Sequence, residues 1–184
     1  MQLLSELLPS RVGSLFSINS IREDLGVSHR AVTNWLLILE QFYYHFRIYP
    51  YHKRSIRSIK KEPKLYMIDW SEVEDEGARF ENMIACHLLK FVQFLHEYEG
   101  LKTDLFYLRN VEKKEVDFMV TVNTDPWFCV EAKLTETEPA SSLFYFKERL
   151  KIPYIYQVVK KPNVDVFKGN IRIVSADRFL ASLI

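Results

Sequence analysis

Two alternating runs, EVDFMVTV at 115–122 and WFCVEAK at 127–133, constrain this chain more than any other segment. In the first, Val116, Phe118, Val120 and Val122 alternate with Asp117, Met119 and Thr121. In the second, Phe128, Val130 and Ala132 alternate with Trp127, Cys129, Glu131 and Lys133. Period-two alternation on either side of an NTDP turn predicts a β-hairpin with one apolar face. A one-residue slip would turn every side chain of a strand to the wrong face, so the core sets the register. If both apolar faces share that core, paired residue numbers sum to an even value, as in Phe118 with Val130. The same register sets Asp117 opposite Glu131. Lys133 lies two residues beyond Glu131, on the same face and roughly 7 Å along the strand.

Two carboxylates and an adjacent ammonium can hold a hard divalent cation, Mg²⁺ or Mn²⁺. The lysine would orient a water and help to neutralise a phosphate. Without a metal the two carboxylates repel, and one of them keeps its proton more readily. The same three residues on an exposed strand pair would instead be a surface ion-pair cluster of small energetic weight. The residues alone leave both readings open.

The flanking pattern places the hairpin in an α/β unit. Phe80, Ile84, Leu88, Phe91 and Leu95 predict a long amphipathic helix over 75–98, closed by Gly100. Strands follow at 104–109, 115–122 and 127–133, then a helix over 141–150, strands at 152–159 and 171–175, and a final helix from 176. The order is α-β-β-β-α-β-β-α.

The first 70 residues read differently. Leu3, Leu4, Leu7 and Leu8 predict a helix that Pro9 and Gly13 end, and a second helix runs from Ser17 or Asn19 to Leu25. Gly26 permits a tight turn, Ser28 caps a third helix over 29–42, and Val32, Trp35, Leu36 and Leu39 face inward. Strands at 46–51 and 64–69, joined by a basic stretch, complete the outline of a winged helix-turn-helix. The formal net charge of +1 hides this division. Residues 1–70 hold ten Lys/Arg and six Asp/Glu, a net +4, and residues 71–184 hold fifteen and eighteen, a net −3. Between His45 and Lys64, seven bases face the single acid Glu62. His29, Arg30, Thr33 and Asn34 on the third helix would enter a DNA major groove, and Lys53, Arg54, Arg57, Lys60 and Lys61 of the wing would neutralise phosphates. The same fold also serves as a protein-interaction module.

An apolar share of 48% supports a real core and excludes disorder. Only five glycines occur, with no G-x-x-x-x-G-K-[ST] or G-x-G-x-x-G, so this chain has no phosphate-cradling nucleotide site. Two cysteines, Cys86 and Cys129, do not make a disulfide framework, and the five histidines form no zinc-ligand spacing. No apolar run reaches the roughly 18 residues of a membrane span, and the expected compartment is the cytoplasm.

Asp117 followed by Val-Glu-Ala-Lys at 130–133 resembles the D…(D/E)-x-K signature of the restriction-endonuclease-like (PD-(D/E)xK) nucleases, although Val116 stands where those proteins usually have Pro. Lys64-x-Tyr-x-x-Asp69, Phe80-Glu-Asn82, EVDF and VEAK, set behind a winged helix, resemble the C-terminal region of prokaryotic AAA-type ATPases of unknown function. The resemblance covers nearly the whole chain. It implies a winged helix over 1–70 followed by a restriction-endonuclease-like α-β-β-β-α-β core with a mixed sheet over 71–184. It further implies Asp117, Glu131 and Lys133 as catalytic residues. Glu81, Asp117 and Glu131 would be ligands of Mg²⁺ or Mn²⁺, with Gln157 a candidate lining residue. DNA and an AAA-type ATPase module N-terminal to this chain would be its partners.

Overall fold

The computed structural model of the protein describes residues 1–52, 62–135 and 137–183. Among these are six α-helices and eight strands in one mixed sheet. The N-terminal part contains α1 (Gln2–Leu7), α2 (Ile18–Leu25), α3 (His29–Gln41), β1 (His45–Pro50) and β2 (Lys64–Met67). Next come α4 (Glu76–Glu97), β3 (Thr103–Arg109), β4 (Glu115–Val122), β5 (Asp125–Lys133), α5 (Ser141–Leu150), β6 (Tyr154–Val159), β7 (Asp165–Lys168), β8 (Ile171–Ser175) and α6 (Ala176–Ala181).

Local signals account for the helices. Gly26 adopts the left-handed conformation at φ 64°, which ends α2, and the Ser28 hydroxyl accepts the Ala31 N–H to start α3. Asp75 caps α4 by accepting the Ala78 N–H at 2.8 Å. The hairpin register matches the even-sum expectation at Phe118–Val130 and Val120–Phe128, and an irregularity past Val120 then shifts it to Thr121–Pro126 and Val122–Asp125.

The sheet runs β2-β1-β3-β4-β5-β6-β8-β7. β1 lies parallel to β3, so the strand pair expected to form the wing extends the central sheet. α5 makes the crossover between the parallel strands β5 and β6. The hairpin is covered on both faces, which departs from the single apolar face read from the sequence. Phe118, Val120 and Val130 join a core with α1 to α4 and α6, while Val116, Met119 and Cys129 pack with Leu143 and Phe146 of α5. Burial on both faces suits a strand between helical layers. β7, four residues long with an exposed Phe167, had no signal of its own in the sequence.

The outer edge of β2 is closed in two ways. Gly13 N–H donates to the Leu65 carbonyl at 3.3 Å and Phe16 N–H to the Pro63 carbonyl at 2.8 Å. Nearly two turns into α4, the fully buried Asn82 accepts the Met67 N–H at 2.8 Å and donates to the Met67 carbonyl at 2.7 Å. A side-chain amide thus replaces the missing strand neighbour and fixes α4 on the sheet.

Candidate functional site

The site is built around a lysine from β2. Lys64 is 2% exposed, an unusual position for an ammonium unless it is paired. Its Nζ lies 2.6 Å from Glu115 Oε1, 3.4 Å from Glu81 Oε1 and 3.5 Å from Asp117 Oδ1. An ammonium has three donors, and three carboxylates stand around this one. Tyr66, two residues on and therefore on the same strand face, donates its hydroxyl to Glu81 Oε1 at 2.8 Å. Arg109 pairs with the second oxygen of Glu115.

Asp117 reaches this cluster through a β-bulge. β3 and β4 pair Phe106 with Met119 and Leu108 with Val116, so Asp117 and Phe118 together stand opposite Tyr107. The extra residue breaks the alternation: Val116 packs toward α5, whereas Phe118 touches Tyr66 on the α4 side. Asp117 Oδ1 faces Lys64, and Oδ2 accepts the Ala132 N–H at 2.9 Å, one residue beyond Glu131. On β5, Glu131 Oε1 lies 2.9 Å from Lys133 Nζ. Glu131 Oε2 is buried and has no hydrogen-bond partner among the described residues. The Asp117 and Glu131 residues are 8% and 6% exposed, so the pair is not a solvated surface cluster.

These surroundings govern protonation. Burial first, and the Asp117 charge second, raise both Glu81 and Glu131 above the usual carboxylate range, while Lys64 and Lys133 respectively pull them back. Burial alone would lower the Lys64 ammonium, but Glu81, Asp117 and Glu115 outweigh it and raise its pKa. A carboxyl that titrates higher folded than unfolded binds more protons in the folded state between the two values. Its stability contribution is therefore present at low pH and lost as pH rises above the unfolded value of about 4.3. Wild type is thus expected to lose stability relative to Glu131→Gln between about pH 5 and neutrality, as read by urea denaturation at several pH values. A pH-independent difference between the two proteins would contradict this.

The structure gathers Glu81, Asp117, Glu131 and Lys133 at one rim of the sheet. Gln157 sits beside Glu131 in register, but its amide oxygen accepts the Ala140 N–H and its NH₂ donates to the Glu138 carbonyl, which ties the entry of α5 to β6. Arg30 and Asn34 are exposed on α3. Lys53, Arg54, Arg57, Lys60 and Lys61 lie outside the described residues. Two further bases of the basic stretch are engaged internally, Lys64 as above and Arg47 with Glu40. Lys64 and Glu115 are the site residues that sequence reasoning did not single out; the Lys64-x-Tyr66 spacing was the signal available for the lysine.

Among the described residues no group of three or more His, Cys, Asp or Glu side chains is arranged to hold a metal ion. The ion pairs show why, since Glu81 and Glu115 are turned to Lys64. Asp117 is shared between Lys64 and the Ala132 N–H, and Glu131 Oε2 is the buried carboxylate oxygen with no hydrogen-bond partner among the described residues. Two carboxylates fit Mg²⁺, which commonly takes one or two carboxylates and completes its shell with water and substrate phosphates.

The class that fold and site define is a mixed α/β protein with a buried acid–lysine cluster at the rim of its sheet. The chain belongs to the family described as a domain of unknown function (DUF4143), which matches residues 76–179. Residues 1–71 match a second domain of unknown function (DUF8612). A search among curated proteins finds no match. Among solved structures, a refined half-complex from a tetradecameric assembly of Thermococcus gammatolerans McrB AAA+ hexamers with bound McrC is similar at a TM-score of 0.36 and 16% identity. The similarity covers 55% of this chain and 27% of that one, and it is too slight to carry a function. Among the described residues no helix is long and apolar enough to cross a membrane.

Proposed function

We propose that the chain is a DNA-binding, metal-dependent nuclease module of the PD-(D/E)xK kind, working in the cytoplasm with an AAA-type ATPase. The observation that carries this is the Asp117 carboxylate set against the backbone just past Glu131, with Lys133 on Glu131 and one Glu131 oxygen without a hydrogen-bond partner among the described residues. The resemblance of the ordered motifs to the C-terminal region of AAA-type ATPases supports the partner.

A bound Mg²⁺ or Mn²⁺ would polarise the scissile phosphate and lower the pKa of an attacking water. The protein's own part is positional. The Ala132 N–H fixes one Asp117 oxygen, and Lys133 fixes one Glu131 oxygen, so both carboxylates are oriented before a ligand arrives. The Lys133 side chain is 36% exposed, enough for its ammonium to orient a water and to meet phosphate charge. All three residues sit on the adjacent strands β4 and β5.

The helix-turn-helix of α2 and α3, read as part of a winged helix over 1–70, would dock the module on DNA. Arg30 and Asn34 face solvent on α3, and Lys53, Arg54, Arg57, Lys60 and Lys61 would contact phosphates. Neutralising Lys53, Arg54 and Arg57 together is expected to weaken DNA binding. It should also flatten the slope of log K against log salt by roughly 2 to 3, since each phosphate contact contributes about 0.9. An unchanged slope would show that the N-terminal unit binds a protein instead. The lysine already seated among Glu81, Glu115 and Asp117 favours a second reading, a non-catalytic region that gives a companion ATPase its target. DNA binding without cleavage in Mg²⁺ and Mn²⁺ would select it.

A further inference from the structure

Four carboxylates, Glu81, Glu115, Asp117 and Glu131, converge on this rim, and three bases, Lys64, Arg109 and Lys133, answer them, which leaves one formal negative charge. The bases are not spread evenly. Lys64 serves Glu81, Glu115 and Asp117 at once, whereas Glu131 has Lys133 on one oxygen and the Asp117 backbone N–H beside its carboxylate, and its Oε2 has no hydrogen-bond partner among the described residues. Access differs in the same sense. On the Lys64 side, Gly13 stands so close that an added Cβ would lie 3.2 Å from Glu81 Oε1, and the Tyr66 hydroxyl closes on the same oxygen at 2.8 Å. On the Glu131 side the neighbouring Lys133 reaches solvent.

We propose that the Lys64 ammonium is a built-in cation occupying the place of a second divalent ion, so that the site takes a single metal, on the Asp117–Glu131 side. Lys64 is a positioning residue in this account. It holds Glu81 and Glu115 in a closed, neutralised cage and leaves Asp117 as the carboxylate shared between the fixed cation and the exchangeable one. The inference rests on the metal-dependent reading above for its wild-type site, but its own claim concerns what Lys64 replaces. A point charge is required there rather than an apolar spacer, because removing one partner of a buried ionic cluster leaves the others unpaired.

The test is Mn²⁺ titration of the whole chain, counted by electron paramagnetic resonance, together with thermal melting in EDTA and in Mn²⁺. Lys64→Met is expected to melt about 10 °C below wild type in EDTA. It should bind one Mn²⁺ more than wild type and recover most of the lost melting temperature as that ion binds. Lys64→Met, Glu81→Gln, Glu115→Gln removes two of the three charges the lysine balances and leaves only Asp117, so it should fold in EDTA and return to the wild-type Mn²⁺ count. A Lys64→Met protein that binds no more Mn²⁺ than wild type, or stays unfolded at saturating Mn²⁺, overturns the proposal. If wild type binds none and Lys64→Met binds one, Lys64 stands in for a metal but the nuclease reading loses its ion; the two claims therefore fail separately.

Discussion

Asp117→Ala, Lys133→Ala is expected to cut plasmid and linear DNA more slowly than wild type by roughly 1,000-fold or more in Mg²⁺ or Mn²⁺, the scale on which positioned acid, base and electrostatic groups act. Asp117 is the residue through which the two halves of the site meet. Its Oδ1 lies near Lys64 and its Oδ2 accepts the Ala132 N–H, so truncation removes the proposed ligand and loosens the strand that carries Glu131. The cage itself survives, because Glu81 and Glu115 still face Lys64. Lys133→Ala alone is the cleaner chemical test. Its loss leaves the buried Glu131 without its ammonium, so the single variant should melt below wild type but stay folded, while losing most of the cleavage rate. Equal cutting by wild type and the double variant would refute the catalytic assignment.

Asn82→Ala is expected to be the most damaging single substitution outside the site, lowering stability by about 3 kcal/mol. Its amide satisfies both the N–H and the carbonyl of Met67 from a fully buried position and also donates to the Cys86 sulfur at 3.4 Å. The methyl of alanine replaces none of these. The buried Met67 N–H loses its partner at the sheet edge, where no neighbouring strand can take over, and the Met67 carbonyl keeps only the weaker Cys86 thiol donor at 3.2 Å. For a chain of 184 residues the loss corresponds to a fall of roughly 10 °C in melting temperature, measurable by calorimetry or by the urea midpoint. A change below about 1 kcal/mol would mean that water or Cys86 takes over the Met67 groups.

The elements that local chemistry specifies were legible in the sequence. Ser28, Asp75 and Gly26 mark helix ends by hydrogen bonding and backbone conformation within a few residues, and the Phe118–Val130 pairing follows from one alternating pattern meeting another. What depends on distant strands was not. The bulge at Asp117 and Phe118 exists only in relation to Tyr107 of β3, and without it strict alternation would turn Asp117 away from Phe118 and from Lys64. The Phe-Glu-Asn stretch carried the right residues, but their division of labour shows only with β2 in place. Phe80 enters the core, Glu81 meets Lys64 and Tyr66, and Asn82 closes the strand edge. Lys64 itself was counted with the basic stretch, since a lysine near six other bases reads as a surface residue until three carboxylates from α4 and β4 are seen around it.

The central claim is that Asp117 and Glu131 together hold a divalent ion. Crystals of the wild-type chain with a short DNA duplex, grown in Mn²⁺ and measured at the manganese absorption edge, test it directly. The expected result is one anomalous peak beside the Asp117 and Glu131 carboxylates, with Lys64 still seated among Glu81, Glu115 and Asp117. Ordered DNA with no anomalous density between Asp117 and Glu131 would contradict it.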